Sequence, residues 1–352
     1  MQTSFLPDSS DPQHPKSAPD PLNIPSLAKL LAEYDENSGR VLDRILPGQV
    51  TTPLEQRPNF DAQDNIVFPL SNELSTSPVA MVAHVAYDMV KETEKIALCS
   101  GFFIRSEPQD EGELPNRGTK PANQAPLLVS CGHTLEEMRR SDILSSANCL
   151  SATLVLVPSS TGRLVTYYAS SIPSSLPLSD LALFSVSPAY KDASARLRTL
   201  PVNPYPATES TAIRIHLASF SDSASISADD HTTHENDPLV RSEWENGSIL
   251  GYRDRDGREA FVRAPFIHSV SALIPFVFIQ PGTYDSLAHI LYRPIPTPGS
   301  SGGPIIDAET MSVIGIVTGD AMVNRVEGRR GFGTPAEALF EMFSLPGLPK
   351  QQ

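Results

Sequence analysis

Cysteine is scarce in this chain, with only Cys99, Cys131 and Cys149 among 352 residues. So sparse and odd a set does not read as the disulfide framework of a small secreted domain, and buried reduced thiols are the expectation. Basic residues are also few: 27 lysines and arginines stand against 41 acids, for a net charge of −14. That balance argues against nucleic acid as a partner, because such affinity rests on clustered positive charge. No apolar run approaches the about 18 residues that a bilayer-spanning helix needs, so no membrane partner is expected. The N-terminus lacks a basic start followed by an apolar stretch, and the first arginine is Arg40. An intracellular, cytoplasmic protein without a targeting segment is the expectation.

What the chain has is proline, 33 residues of it, and many short apolar runs. Both favour strands over helices. Candidate strands fall in two sets. The first comprises Val79–Tyr87, Glu94–Ile104, Leu127–Ser130, Thr153–Val157, Leu164–Tyr168 and Leu181–Val186. The second comprises Ile213–Ser219, Ser248–Arg253, Glu259–Val262, Leu273–Ile279, Ser286–Arg293 and Val313–Val317. Asp256-Gly257 reads as the turn of a hairpin between short strands. Residues 1–25, rich in proline, serine and aspartate, have the composition of a disordered segment. Leu27, Leu30, Leu31 and Tyr34 then repeat as one apolar helix face that is expected to dock on the strands. Ser221–Asp237 contains Asp229, Asp230, His231, His234 and Glu235. It reads as an acidic loop, so neither a metal site nor a cofactor is expected.

The most informative segment is Thr297-Pro298-Gly299-Ser300-Ser301-Gly302-Gly303-Pro304. It describes a serine on a glycine-rich turn, where small neighbours let main-chain N–H groups converge on one point and receive a developing oxyanion. Gly299, Ser301 and Gly303 also satisfy a nucleophile elbow, but that fold places its histidine after the serine, and none of the eight histidines follows Ser301. An order of histidine, then aspartate, then serine finds one good candidate for each in the chain. Leu127–Thr134 is an apolar strand that ends at small residues and delivers His133, and Ser179-Asp180-Leu181 sets an aspartate just before an alternating apolar strand.

These three segments resemble the trypsin-like serine peptidases of the chymotrypsin fold, closest to the HtrA and bacterial glutamyl-endopeptidase side. Cys99–Ile104 is similar to the strand before the histidine strand, and Gly315–Gly319 to the strand that pairs with substrate backbone. Gly331–Glu337 resembles the last strand and the start of a short C-terminal helix, with Thr334 as N-cap and Glu337 closing a capping box. The resemblance implies an all-β fold of two six-stranded antiparallel barrels. Residues 1–75 would form an N-terminal extension, 76–200 a first barrel carrying His133 and Asp180, and 201–352 a second barrel carrying Ser301 and the C-terminal helix.

By the same resemblance, Ser301 is the nucleophile, His133 the general base and Asp180 the residue that orients it, with the amides of Gly299 and Ser301 as oxyanion hole. Substrate would be a polypeptide, and an endopeptidase the activity, with a non-catalytic binding module of the same fold as the alternative. Ile295 would lie near the floor of the pocket for the side chain preceding the scissile bond, with Thr318, Gly319, Asp320, Phe332 and Gly333 on its walls. No acid marks that floor, so an apolar or small side chain is expected there, with Asp320 on the wall as an alternative partner for a basic one. Ser300 stands where the digestive members carry an aspartate that pairs with a newly cut N-terminus, and a hydroxyl cannot make that charge-assisted bond. The short stretch after Ser301 makes the PDZ domain that HtrA-like members often carry an unexpected feature here.

Overall fold

In the computed structural model, the described residues are 31, 56–58, 78–108, 126–158, 164–188, 197–220, 240–260 and 287–343. Six strands close the first barrel: β2 (Val79–Asp88), β3 (Thr93–Ile104), β5 (Leu127–Cys131), β6 (Cys149–Pro158), β7 (Leu164–Leu176) and β8 (Leu181–Pro188). Their spatial order is β2-β3-β5-β8-β7-β6, and every pairing is antiparallel. A two-stranded ribbon of β1 (Gln56–Pro58) and β4 (Ser106–Pro108) stands beside it.

The second barrel is built from β9 (Ala212–Phe220), β10 (Val240–Arg253), β12 (His289–Arg293), β13 (Pro304–Asp307), β14 (Val313–Asn324) and β15 (Gly328–Pro335). The sheet runs β10-β12-β15-β14-β13-β9, and the pairing of β9 with β10 closes it, while β11 (Glu259–Ala260) extends β10. The architecture is all-β, two six-stranded antiparallel barrels of the chymotrypsin-like fold.

Period-two patterning explains why these sequences fold this way. Along β2, Ala80, Val82 and Ala86 join the interior of the first barrel, while Ala83 and Val85 lie on its outer face. Leu31, in a helix and fully buried, packs on that outer face with Ala152, Leu154 and Tyr168, as the apolar helix face predicts. Ile213, Ile215, Ile249, Tyr252, Ile290, Tyr292 and Val317 fill the second barrel. A further cluster joins the two barrels: Phe102, Leu181 and Leu183 meet Trp244, Ile306 and Ile316, with Leu339, Met342 and Phe343 closing over them. Removing each such side chain from water contributes about 1.5–3 kcal/mol.

Several expectations need adjustment. β7 extends to Leu176 and β10 begins at Val240, both well beyond the apolar cores that announced them. Thr334 does not cap the C-terminal helix; that helix is the 3-10 segment Ala336–Met342 with Pro335 at its N-cap and no side-chain cap. The Thr334 hydroxyl instead donates to Ser179 O at 2.7 Å, across the barrel junction, and among the described residues neither Glu337 side-chain oxygen finds a hydrogen-bond partner. The hairpin at Asp256-Gly257 forms, with Gly257 at φ 79° and Asp254 O accepting from the Gly257 amide at 3.0 Å. All three cysteines are free and buried. The segment 1–25, the helix positions Leu27, Leu30 and Tyr34, the loop Ser221–Asp237 and the strand Leu273–Ile279 lie outside the described residues.

Candidate active site

Register brings His133 and Asp180 together. β5 pairs with β8 so that Cys131 faces Leu181, which sets the next residue of one strand, Gly132, beside the preceding residue of the other, Asp180. Asp180 sits in the left-handed region at φ 56°. Its Oδ1 accepts the amides of Gly132 at 3.1 Å and His133 at 2.7 Å. Its Oδ2 then lies 2.6 Å from His133 Nδ1. A carboxylate so occupied accepts a proton-bearing Nδ1, which leaves Nε2 of the neutral ring as the basic nitrogen. Asp180 and, in the opposite sense, partial desolvation act on His133, and the net effect raises its pKa above the ordinary histidine value.

His133 is the first residue of a short helix, His133–Arg139, and its side chain is 45% exposed. A 610 Å³ cavity opens beside it, lined among others by Lys95, Glu136, Glu137, Arg140 and Asp180. Nε2 lies 4.0 Å from the buried Cys131 thiol, which desolvation pushes well above the usual thiol value.

Ser301 lies between β12 and β13 on two successive turns. Ser300 N donates to Thr297 O at 3.0 Å and Gly303 N to Ser300 O at 2.9 Å, with Gly299 at φ 95° and Gly302 at φ 82°. Each turn needs a positive φ at its third residue, the position that glycine takes without strain. Gly302 is also a point of close approach: a Cβ there would stand 2.2 Å from Ser100 O and 2.6 Å from Ser130 Oγ.

Both barrels hold this loop. Ser100, on β3, donates its amide to Ser301 O at 2.8 Å and its hydroxyl to Gly299 O at 2.8 Å. From β9, Ala218 N donates to Ser300 Oγ at 3.0 Å and Ala218 O accepts from Thr297 Oγ1 at 2.6 Å. Because the Thr297 proton is spent on that carbonyl, the 2.9 Å contact between the two hydroxyls runs from Ser300 to Thr297. Ser300 is fully buried and satisfied without any ion pair. Among the described residues, the Gly299 and Ser301 amides donate to no acceptor. The Ser301 hydroxyl donates to Thr318 O at 3.2 Å and not to His133.

Of the other residues singled out from the sequence, Thr318 and Gly319 share β14, and Phe332 and Gly333 its neighbour β15. Thr318 is the extra residue of a bulge in β14, between the pairs Val317 with Gly333 and Gly319 with Phe332. Its hydroxyl donates to Phe332 O at 3.0 Å. Asp320 pairs with Arg329 Nε at 2.5 Å. Ile295 is 49% exposed. The Phe332 ring stacks on His289 at 4.4 Å between centroids. Sequence reasoning passed over Ser100 and Thr297, whose importance rests on contacts nearly 200 and about 80 positions away.

Two barrels of this topology define a chymotrypsin-like protein, the fold of trypsin-like serine peptidases. No protein-family model matches the chain, and no curated protein matches it. Among solved structures it is similar to the inactive form of a serine-to-alanine mutant of Rv3671c from M. tuberculosis H37Rv. That match has 14% identity, spans 85% of this chain and 96% of the other, and has a TM-score of 0.36. It is also similar to the HtrA-type protease AlgW, a serine-to-alanine mutant with a tripeptide, at 15% identity over 74% of this chain and 57% of that one, with a TM-score of 0.34. Among the described residues, no helix is long and apolar enough to cross a membrane.

Proposed function

We propose that the protein is a serine endopeptidase in which Ser301 attacks the peptide carbonyl, His133 is the base and Asp180 orients it. The observation that carries this reading is the 2.6 Å contact between His133 Nδ1 and Asp180 Oδ2, in a carboxylate already fixed by two amides. The mechanism needs the Ser301 hydroxyl to leave Thr318 O and meet Nε2. His133 would take the proton as Oγ adds to the carbonyl, and return it to the leaving amine as the acyl-enzyme forms. Water would then attack the ester by the same base, regenerating Ser301 and releasing the new carboxylate. The unpaired amides of Gly299 and Ser301 suit the negative oxygen of each tetrahedral intermediate, where losing one donor costs about 100- to 1,000-fold in kcat.

A second reading, a binding module on the same fold, is favoured by one observation: the Ser301 hydroxyl is engaged with Thr318 O. Labelling with a fluorophosphonate separates the two. The enzyme reading expects label on the native chain and none on Ser301→Ala, with severe loss on His133→Ala. A native chain that takes no label while binding peptides supports the module instead.

A further inference from the structure

Among the described residues, β14 has no partner past Val317 on the side of the nucleophile. Pairing with β13 ends at Pro304 opposite Ile316, and the last contacts link Gly302 and Gly303 to Val317. Thr318 O then holds the Ser301 hydroxyl, and beyond it, among the described residues, Gly319 and Asp320 pair only with β15. An unpaired edge beside a nucleophile accepts an extended peptide as an added strand.

On the paired side, register sets Asp320, Gly331 and Tyr292 in one row across β14, β15 and β12. Directly opposed residues present their side-chain positions on one face of a sheet. Gly331 leaves its share of that face empty, and the Tyr292 ring occupies it. A Cβ on Gly331 would lie 2.2 Å from one ring carbon and within 2.7 Å of two more. The ring is wholly buried, and its hydroxyl has no hydrogen-bond partner among the described residues. Asp320, paired with Arg329, forms the outer end of the row and remains 23% exposed.

We infer that Tyr292 closes the depth of the pocket for the side chain preceding the scissile bond, so that the substrates are polypeptides with a small residue there, of the alanine or serine class. The inference rests on Ser301 being the nucleophile of an endopeptidase. A close-packed interior resists added methylenes, so an aromatic ring in the space behind Gly331 rejects a long side chain by exclusion, without any charge at the pocket's base. The Asp320–Arg329 pair is internally neutralised, which removes the attraction that a free wall carboxylate would hold for lysine or arginine.

The test compares cleavage of peptides differing only before the scissile bond, by the native chain, Tyr292→Phe and Tyr292→Val. The native chain is expected to favour alanine over phenylalanine or leucine by about tenfold or more in kcat/KM. Tyr292→Phe keeps the ring and should keep that order. Tyr292→Val, shown intact by fluorophosphonate labelling, should lose or reverse it. Equal native cleavage after large and small residues overturns the inference, as does a labelled Tyr292→Val with the native order. Should Tyr292→Val fail to fold, the native and Tyr292→Phe profiles still decide. A native chain that neither labels nor cleaves refutes the endopeptidase reading itself, a result distinct from an active enzyme with the wrong preference.

Discussion

The Ser100 hydroxyl donates to the Gly299 carbonyl at 2.8 Å, so a strand of the first barrel fixes the turn that precedes Ser301 in the second. Ser100→Ala removes that bond and leaves the amide bond to Ser301 O in place. A neutral hydrogen bond contributes about 0.5–1.5 kcal/mol net, so kcat should fall about three- to tenfold with KM little changed. Steady-state kinetics on a single peptide checks the split; a change confined to KM would contradict the assignment.

Asp180→Asn replaces one of the two oxygens by an amide that cannot accept the Nδ1 proton. The ring then favours the wrong tautomer, and kcat should drop by about four orders of magnitude. Thermal unfolding measured alongside separates this from loss of the fold.

His133 has its pKa raised, mainly by its bond to Asp180. The proposed mechanism needs the neutral base, so kcat/KM should climb with pH through an apparent value above the ordinary histidine pKa of about 6.5. The stability linkage runs the other way. Protonated His133 favours the folded state fully below the unfolded value and loses that contribution as pH rises through the folded one. With the ring nearly half exposed, the stability effect should be small beside the kinetic one. A pH–rate profile centred below the ordinary value would refute the pairing.

Glu337 is pushed up to about 7 by burial, and among the described residues its side-chain oxygens have no hydrogen-bond partner. Folding favours its protonated form, a contribution complete below the unfolded value and lost as pH climbs through about 7. Glu337→Gln should therefore stabilise the protein above that pH, by at most about 3 kcal/mol, and do little at low pH. Melting temperatures across the pH range test this; a stabilisation independent of pH would count against it.

Gly302→Ala should be far more damaging than an ordinary surface change. The added Cβ meets Ser100 O at 2.2 Å and Cys131 N at 2.8 Å, at a φ of 82° that disfavours side chains. A loss on the order of 3–5 kcal/mol in urea unfolding is expected, with abolished labelling of Ser301.

The pairing of His133 with Asp180 was legible because each sits where a short apolar strand meets small residues, a local signal. Most strands were legible for the same reason. β13 was not assigned, because its four residues follow the Gly302-Gly303 turn without an alternation of their own. The early part of β10 was hidden by polar residues such as Arg241, Ser242, Glu243, Glu245 and Asn246, which are strand only because β9 pairs with them. Thr334 and Glu337 spell a capping box, yet the hydroxyl is recruited by Ser179 O, a tertiary competitor that no local pattern contains. The row of Asp320, Gly331 and Tyr292 is likewise a product of register.

The apolar cluster linking Phe102, Leu181, Trp244, Ile316 and Leu339 draws on both halves of the molecule and on the C-terminal turn. Neither half can melt without stripping the other of part of its interior. Calorimetry should record one cooperative transition, with His133 and Ser301 losing their surroundings together, never leaving a folded half with an orphaned histidine.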